Sequence, residues 1–189
     1  SWQKSILAAA ECFCEEREGW FYIGGQVGAG KTHICTAIAN RLLLQGKGVR
    51  AVVDATRDLL VNVLQYHPFL IKPNNHELGE IVGRTLTTDT DITAAARTLQ
   101  EKGARNVLVS MAGDGALLLD EKGEVHRIGT PKGKVVNSVG AGDSMVAGFV
   151  AGYLRSGSYL EALRLGTACG SATAFSLGLA KKEKIDALL

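Results

Sequence analysis

The chain has 189 residues, of which 46% are hydrophobic and 21% charged, as expected for a globular protein large enough to bury a core. Its formal net charge is only +2 and its basic residues are scattered, which argues against nucleic acid or a membrane surface as a partner. No stretch approaches the roughly 18–20 apolar residues of a membrane helix. The cysteines, Cys12, Cys14, Cys35 and Cys169, lack zinc or redox spacing, so we expect reduced thiols and a cytoplasmic protein.

Apolar periodicity predicts an alternation of helices and strands along the chain. In chain order these are a helix over 3–16, a strand over 20–24, a helix over 32–45, a strand over 49–54, a helix over 57–65, a strand over 69–71, helices over 75–82 and 91–102, a strand over 106–110, paired strands over 116–120 and 124–128, and helices over 142–154 and 160–177. The pattern predicts a single-domain, three-layer α/β/α sandwich with a mostly parallel, Rossmann-like sheet and one antiparallel hairpin.

A phosphate-binding motif follows the first predicted strand. Residues 25–32, Gly-Gln-Val-Gly-Ala-Gly-Lys-Thr, fit the P-loop pattern G-x-x-x-x-G-K-[ST] and lead into a predicted helix. In such a loop the backbone N–H groups and the lysine bind phosphate oxygens, and the threonine hydroxyl binds Mg²⁺. The motif predicts an ATP or ADP site formed by Gly25, Gly28, Gly30, Lys31 and Thr32.

Through this loop and Ala37-Ile38-Ala39-Asn40, residues 2–48 resemble the start of the ATPase domain of DnaC-like helicase loaders, of the AAA+ class. A complete member would continue with a Walker B acid pair, a sensor residue and an arginine finger, and none of these follows. Asp54 ends an apolar strand and could serve as a Walker B acid. It could equally be a turn residue, and the sequence leaves both interpretations open.

A second anion-binding turn precedes the predicted helix over 142–154. The backbone N–H groups of Gly140, Ala141 and Gly142 could converge there on the charge that develops during phosphoryl transfer. Asp143 follows at the helix start, where a carboxylate can accept the proton of an attacking hydroxyl. A helix N-terminus with a capping aspartate is the alternative without catalytic meaning.

From about residue 49 onward, the chain resembles the C-terminal half of PfkB-type sugar kinases, and most of all the 1-phosphofructokinase group. The matching segments are 72–78, 110–116 and 137–150, the last of which fits the second signature pattern of the family. The resemblance implies a ribokinase-like fold with Asp143 as catalytic base and residues 140–142 as anion hole. It also implies an Mg²⁺ site at an N-x-x-E pair, Asn74 and Glu77, and a loop beside ATP containing Ser110, Gly113 and Gly115.

Two resemblances in one chain favour an engineered chimera, with a P-loop unit over 1–48, a kinase half over 49–189 and a junction near 48–51. We expect a monomer that keeps phosphate-binding loops for ATP or ADP without efficient catalysis. One alternative is residual ATP-dependent phosphoryl transfer to a sugar phosphate, and another is a folded scaffold without activity. The four histidines lack ligand spacing, so we do not expect them to bind metal.

Overall fold

The computed structural model describes residues 2–15, 38, 50–54 and 57–189. The chain divides into two compact units, Ser1–Ala51 and Val52–Leu189. In the first unit, helix α1 (Trp2–Glu15) confirms the helix predicted over 3–16, and its buried residues Ala10 and Cys14 are one turn apart. The P-loop motif over 25–32 lies outside the described residues, as do the strand and nearly all of the helix predicted around it.

The second unit alternates helices and strands as the apolar pattern predicts. Its elements in chain order are β1 (Val52–Val53), α2 (Arg57–Val63), β2 (Leu70–Ile71), α3 (Asn75–Val82), α4 (Asp89–Glu101), β3 (Asn106–Ser110), β4 (Ala116–Leu119), β5 (Val125–Ile128), α5 (Ala141–Ser156), α6 (Tyr159–Ala174) and α7 (Lys182–Asp186). Single 3₁₀ turns cover Leu64–Tyr66 and Ala112–Asp114.

The five described strands form one sheet in the order β1-β2-β3-β4-β5. Strands β1, β2 and β3 are parallel, and β4 and β5 continue the sheet as an antiparallel hairpin. The mixed sheet confirms the predicted combination of a parallel sheet with one hairpin. Because the first three strands are parallel, their carboxyl ends lie along one edge of the sheet, where open α/β sheets commonly form their sites.

Helices cover both faces of this sheet, and β3 shows how. Its residues Val107 and Val109 pack in a core with α2, α3 and α4, whereas Leu108 packs on the opposite side with α5 and α6. Successive side chains of a strand point to opposite faces, so one buried strand supplies both cores. The three-layer arrangement predicted from the sequence is therefore confirmed within this unit.

Local capping signals define several helix ends. Helix α3 starts with a capping box between Asn74 and Glu77, and it ends at Gly83, whose φ of 72° suits glycine. Its bounds are those predicted. Helix α6 ends at Ala174, earlier than predicted, and the short helix α7 was not predicted because five residues carry little periodicity. None of the described helices combines the length and the apolar character needed to span a membrane.

Helices α5 and α6 pack closely through glycines. A Cβ atom at Gly152 would lie 2.8 Å from Ala162 Cα, and one at Gly166 would lie 2.8 Å from the Met145 carbonyl oxygen. Side chains at either position would force the two backbones apart. The hydroxyl groups of Thr173 and Ser144 also form a 2.9 Å hydrogen bond between the helices. This packing holds the N-terminus of α5 in a defined position beside the sheet.

Candidate active site at the carboxyl edge of the sheet

The residues that follow β1, β2 and β3 lie side by side at the carboxyl edge. The Lys72 N–H donates to the Val53 carbonyl at 3.4 Å, and the Ser110 N–H donates to the Pro73 carbonyl at 3.2 Å. Asn74 also forms an isolated parallel bridge with Ser110. These bonds extend the parallel pairing past the named strands, so segments distant in sequence meet here.

Lys72 connects this edge to helix α5. Its side chain is 8% exposed, and its Nζ atom lies 3.4 Å from Asp54 Oδ2. A Cβ atom at Gly142 would lie 3.1 Å from the same Nζ atom, which shows how closely the ammonium approaches the first turn of α5. A buried ammonium needs a nearby anion to offset the loss of hydration, and Asp54 supplies one.

The first turn of α5 presents backbone donors beside this ammonium. Gly140 precedes the helix with φ of 78°, and the N–H of Ala141 donates to the Ser138 carbonyl at 3.1 Å. The N–H groups of Gly142 and Asp143 belong to the first turn, where a helix offers no internal acceptor. Of the predicted anion hole, the Ala141 donor is therefore engaged in the turn, whereas the next two amides are positioned to bind an anion.

Four charged groups interact at this edge. Burial raises the pKa of the Asp54 carboxyl, and the adjacent Lys72 ammonium offsets part of that rise. The negative charges of Asp143 and Glu77 raise the pKa of Asp54 further, which places both carboxylates near Asp54. Among the residues that the structure describes, Asp54 therefore lies near two further carboxylates and one ammonium, an excess of negative charge that favours a bound cation. Asp143 itself is exposed, so its carboxylate is accessible to a ligand.

The predicted Mg²⁺ ligands Asn74 and Glu77 already have a structural role. Asn74 Oδ1 accepts a hydrogen bond from the Glu77 N–H at 2.8 Å, and Glu77 Oε2 accepts one from the Asn74 N–H at 2.9 Å. This capping box fixes both side chains at the start of α3. One carboxylate oxygen of Glu77 and a lone pair on Asn74 Oδ1 remain for a hydrated cation, so capping does not exclude the metal role.

The predicted loop beside ATP follows β3, and its two glycines differ. Gly115 has φ of 96°, and a Cβ atom there would lie 2.0 Å from the Ile128 carbonyl oxygen, so the hairpin itself requires glycine. Gly113 faces open space. Ala112, with φ of 46°, is held by a 2.8 Å hydrogen bond from the Thr130 hydroxyl to its carbonyl. Only Gly113 therefore fits the idea of a glycine that leaves room for a ligand.

Exposed apolar side chains surround the approach to α5. Val139 is 78%, Leu177 88% and Leu179 74% exposed. The segment before the helix is anchored to the end of α6, because the N–H groups of Val136 and Asn137 both donate to the Ala174 carbonyl. A Cβ atom at Gly140 would lie 3.2 Å from Leu179 Cδ2, so this apolar surface begins next to the anion-binding turn.

The structure thus brings together the candidates at three strand ends and α5, and adds Lys72, which motif analysis did not single out as functional. The available signal was a lysine directly after the fully buried pair Leu70 and Ile71. A lysine in that position is unusual unless its charge is paired. The other predicted nucleotide ligands, Gly25, Gly28, Gly30, Lys31 and Thr32, lie outside the described residues.

Comparisons with known proteins agree with the kinase resemblance. The chain is 48% identical to 1-phosphofructokinase of Bacillus subtilis over 76% of its own length and 47% of that protein. It is 40% identical to D-tagatose-1-phosphate kinase of Bacillus licheniformis, covering 73% of the chain and 45% of that protein. The chain therefore spans about half the length of these curated relatives.

Solved structures give the same result. Phosphofructokinase-2 from Escherichia coli, in complex with fructose-6-phosphate, superposes with a TM-score of 0.78 and 30% identity, over 97% of this chain and 59% of that one. A ribokinase from Arabidopsis thaliana shares the fold, with a TM-score of 0.69 at 23% identity, over 80% of this chain and 50% of that one. The ribokinase-like α/β fold is confirmed.

The comparisons do not support the predicted engineered chimera or its helicase-loader segment. The model of the pfkB family carbohydrate kinases matches residues 20–185, which include the P-loop-like motif. A glycine-rich turn between a strand and a helix is common to many α/β proteins, so one short motif cannot establish a second origin. Since that family model matches most of the sequence, the chain belongs to the pfkB family of carbohydrate kinases.

Proposed function

We propose that this chain binds Mg·ATP and transfers its γ-phosphoryl group to a hydroxyl of a ketose phosphate. The observation that carries the proposal is the convergence of the Lys72 ammonium, the first-turn amides of α5 and the Asp143 carboxylate. Relatives named 1-phosphofructokinase and D-tagatose-1-phosphate kinase suggest a ketohexose 1-phosphate as acceptor. This reading replaces the expectation of a nucleotide-binding protein without efficient catalysis.

In the proposed reaction, Asp143 accepts the proton of the attacking hydroxyl as its oxygen forms a bond to the γ-phosphorus. The bond between that phosphorus and the oxygen bridging to the β-phosphate breaks, and ADP leaves with the electron pair. The N–H groups of Gly142 and Asp143 donate to the phosphoryl oxygens. Lys72 adds a positive charge in a partly water-excluded position, where such interactions are strongest.

The donor set at this edge fits Mg²⁺. Hard divalent cations prefer oxygen ligands, and Asn74, Glu77 and Asp54 offer amide and carboxylate oxygens next to an excess of negative charge. When bound, Mg²⁺ neutralises charge on the phosphate groups of the nucleotide. Thr32, predicted as a further ligand from the P-loop, stays a prediction.

The exposed apolar surface formed by Val139, Leu177 and Leu179 suits the base of the nucleotide. It adjoins Gly140, so a nucleotide with its phosphates at α5 could lay a purine ring on these side chains. Gly113, which faces open space, leaves room on the β3 side. Together these features support ATP or ADP, rather than an isolated phosphate, as the ligand.

The test is a coupled assay of ADP release with three acceptors offered separately: fructose 1-phosphate, tagatose 1-phosphate and fructose 6-phosphate. We expect acceptor-dependent turnover, reduced about 10²–10⁴-fold in Asp143→Asn because the base is lost. Asp58→Asn, an exposed aspartate in the first turn of α2, is the matched control and should act as wild type. ADP release that ignores every acceptor, or that survives Asp143→Asn, would disprove the proposal.

The position of the nucleotide phosphates needs a separate measurement, because the P-loop motif also predicts a phosphate site. Calorimetric titration of Mg·ATP into Gly142→Val and Lys31→Ala distinguishes the two. We expect Gly142→Val to abolish binding, since its side chain would displace the Lys72 ammonium and occupy the space beside the first-turn amides. Loss of binding in Lys31→Ala alone would instead assign the phosphates to residues 25–32.

A further inference from the structure

A second cluster of ligand-type side chains lies at the other end of the sheet, in the turn between β4 and β5 and in the first residues of β5. Asp120, Glu124 and His126 each offer one oxygen or nitrogen atom, and these atoms all lie within 4.8 Å of one another. Leu119, just before Asp120, pairs with Val107 near the start of β3, whereas Ala116 pairs with Ser110 at the carboxyl edge. The cluster is therefore separated from Asp143 by the length of β3.

The backbone of the turn holds Asp120 in place. Its Oδ1 atom accepts hydrogen bonds from the N–H groups of Lys122 and Glu124, both at 2.9 Å. Its other oxygen, Oδ2, lies 2.9 Å from His126 Nε2, and the side chain is only 1% exposed. One oxygen thus orients the carboxylate while the other is directed at the imidazole. Second hydrogen bonds of this kind characterise carboxylates that ligate metals.

Glu124, the third member of the cluster, distinguishes this arrangement from a hydrogen bond that only joins two strands. The Asp120–His126 pair would suffice to join β4 to β5, but Glu124 also directs a carboxylate oxygen to the same point, although it is exposed. Within residues 57–189, its side chain has no hydrogen bond or ion pair that would hold it there for another purpose. In a tetrahedral site with ligand bonds of about 2.0–2.1 Å, neighbouring ligands are roughly 3.4 Å apart. Small side-chain rotations would bring the three atoms to that spacing.

An open cavity of about 260 Å³ borders the cluster. Asp120, Glu124 and His126 line it together with Tyr153 and Tyr159. Tyr159 is not a further ligand, because its hydroxyl donates to Glu121 Oε1 at 2.6 Å and burial raises its pKa. The cavity instead leaves room for a water molecule at the fourth coordination position.

We propose that Asp120, Glu124 and His126 bind a divalent transition-metal ion of the Zn²⁺ type in the β4–β5 turn, away from the candidate active site. One imidazole nitrogen with two carboxylate oxygens suits Zn²⁺ or Co²⁺, whereas Mg²⁺ and Ca²⁺ prefer oxygen alone. Binding requires the Nε2 lone pair to face the ion, so the ring proton resides on Nδ1. The expectation from sequence spacing, that His126 binds no metal, would then be wrong.

The test uses Zn²⁺ calorimetry and Co²⁺ absorption on the intact chain in excess Mg²⁺, which occupies oxygen-only sites. We expect one saturable site that weakens about tenfold or more in Glu124→Gln and is lost in His126→Gln. Glu101→Gln, an exposed carboxylate at the end of α4, is the matched control and should bind as wild type. Because this control also loses one negative charge, it distinguishes the loss of a metal ligand from a general electrostatic effect on Zn²⁺ binding.

The exposed position of Glu124 keeps the test decisive. The turn bonds of Glu124 come from its backbone, so Glu124→Gln should fold as wild type. In a thermal melt, Zn²⁺ should raise the Tm of the wild type and of Glu101→Gln more than that of Glu124→Gln. Equal Zn²⁺ binding by wild type and Glu124→Gln would assign the metal elsewhere, for instance to the cysteines. That result, or no saturable binding to the wild type, would overturn the proposal.

Discussion

At the carboxyl edge of the sheet, the buried Lys72 ammonium faces Asp54, whose pKa is raised by burial and by two further carboxylates. At the amino edge, outside the cluster of Asp120, Glu124 and His126, the polar groups around Asn106 are satisfied in pairs. Asn106 is fully buried, its Nδ2 donating to the Phe69 carbonyl at 2.7 Å and its Oδ1 accepting from the Glu121 N–H at 2.9 Å. The carboxyl edge concentrates charge that lacks full compensation, whereas the Asn106 amide at the amino edge is used entirely to join the segments around β2 and β4.

From this difference we expect the carboxyl edge to determine the proposed nucleotide binding and the amino edge around Asn106 to contribute mainly to stability. Charges that a fold leaves partly uncompensated favour a ligand of complementary charge, at some cost to the free protein. A buried amide bonded at both ends stabilises the fold and has no capacity left for a ligand. Substitutions at the two edges should therefore have opposite consequences for ATP binding and for the free energy of unfolding.

The largest effect is expected at Lys72. Lys72→Met keeps the volume of the stem but removes the charge beside the first turn of α5, so phosphoryl transfer should fall about 100-fold or more. The Tm should change little, because the substitution also removes a buried charge. Steady-state kinetics and a thermal melt measure both, with the exposed Lys102→Met as control. A large loss of stability with normal kinetics would contradict this prediction and show that Lys72 stabilises the fold instead of supporting phosphoryl transfer.

At the amino edge, Asn106→Ala should do the opposite. It removes two buried hydrogen bonds and leaves the Glu121 N–H unpaired, whereas the Phe69 carbonyl keeps its 3.1 Å bond from the backbone N–H of residue 106. We expect a loss of about 1–3 kcal/mol in the free energy of unfolding. Urea denaturation measures the loss. The affinity for Mg·ATP should match that of wild type under conditions where the variant is folded. Weakened nucleotide binding would show that the two edges are coupled.

A smaller loss of stability is expected where α5 packs on α6. Alanine favours a helix over glycine by about 1 kcal/mol, yet Gly152→Ala should destabilise by about 1–2 kcal/mol, since its Cβ would lie 2.8 Å from Ala162 Cα. The exposed neighbour Ala151→Gly measures helix propensity alone. If Gly152→Ala is stabilising, the helices can separate without cost and do not position Asp143 rigidly.

The smallest effect concerns Asp91, whose pKa is lowered by hydrogen bonds from the Thr88 hydroxyl and N–H and from the Thr87 N–H. A lowered pKa in the folded state means that the stabilisation is present above the unfolded pKa and disappears as pH falls through the folded pKa. In thermal melts, the Tm of wild type should therefore exceed that of Asp91→Asn at pH 7, and the difference in Tm should disappear at acidic pH. A difference in Tm that does not change with pH would mean that the cap of α4 depends on the shape of the Asp91 side chain and not on its charge.

Sequence patterns predicted what depends on neighbouring residues. The predicted bounds of α3 agree with the structure, where a capping box between residues three apart starts the helix, and the hairpin followed from two apolar runs around Glu121-Lys122-Gly123. The glycine turn before Asp143 was recognisable for the same reason. In each case the interactions that decide the structure join residues close in sequence, so a short stretch of sequence is enough to predict them.

Only the tertiary structure decided which distant groups meet. Lys72 joins the candidate site because Asp54 and Gly142, far apart in sequence, both lie close to its ammonium, and no local pattern encodes that encounter. The cluster of Asp120, Glu124 and His126 is different, because it forms within one local hairpin and only the exact turn geometry was missing from the sequence analysis. The sequence by itself determined the alternating helices and strands and the kinase-like turn. Burial, pairing of charges and close packing were decided by contacts between elements, because these depend on how the whole core is filled.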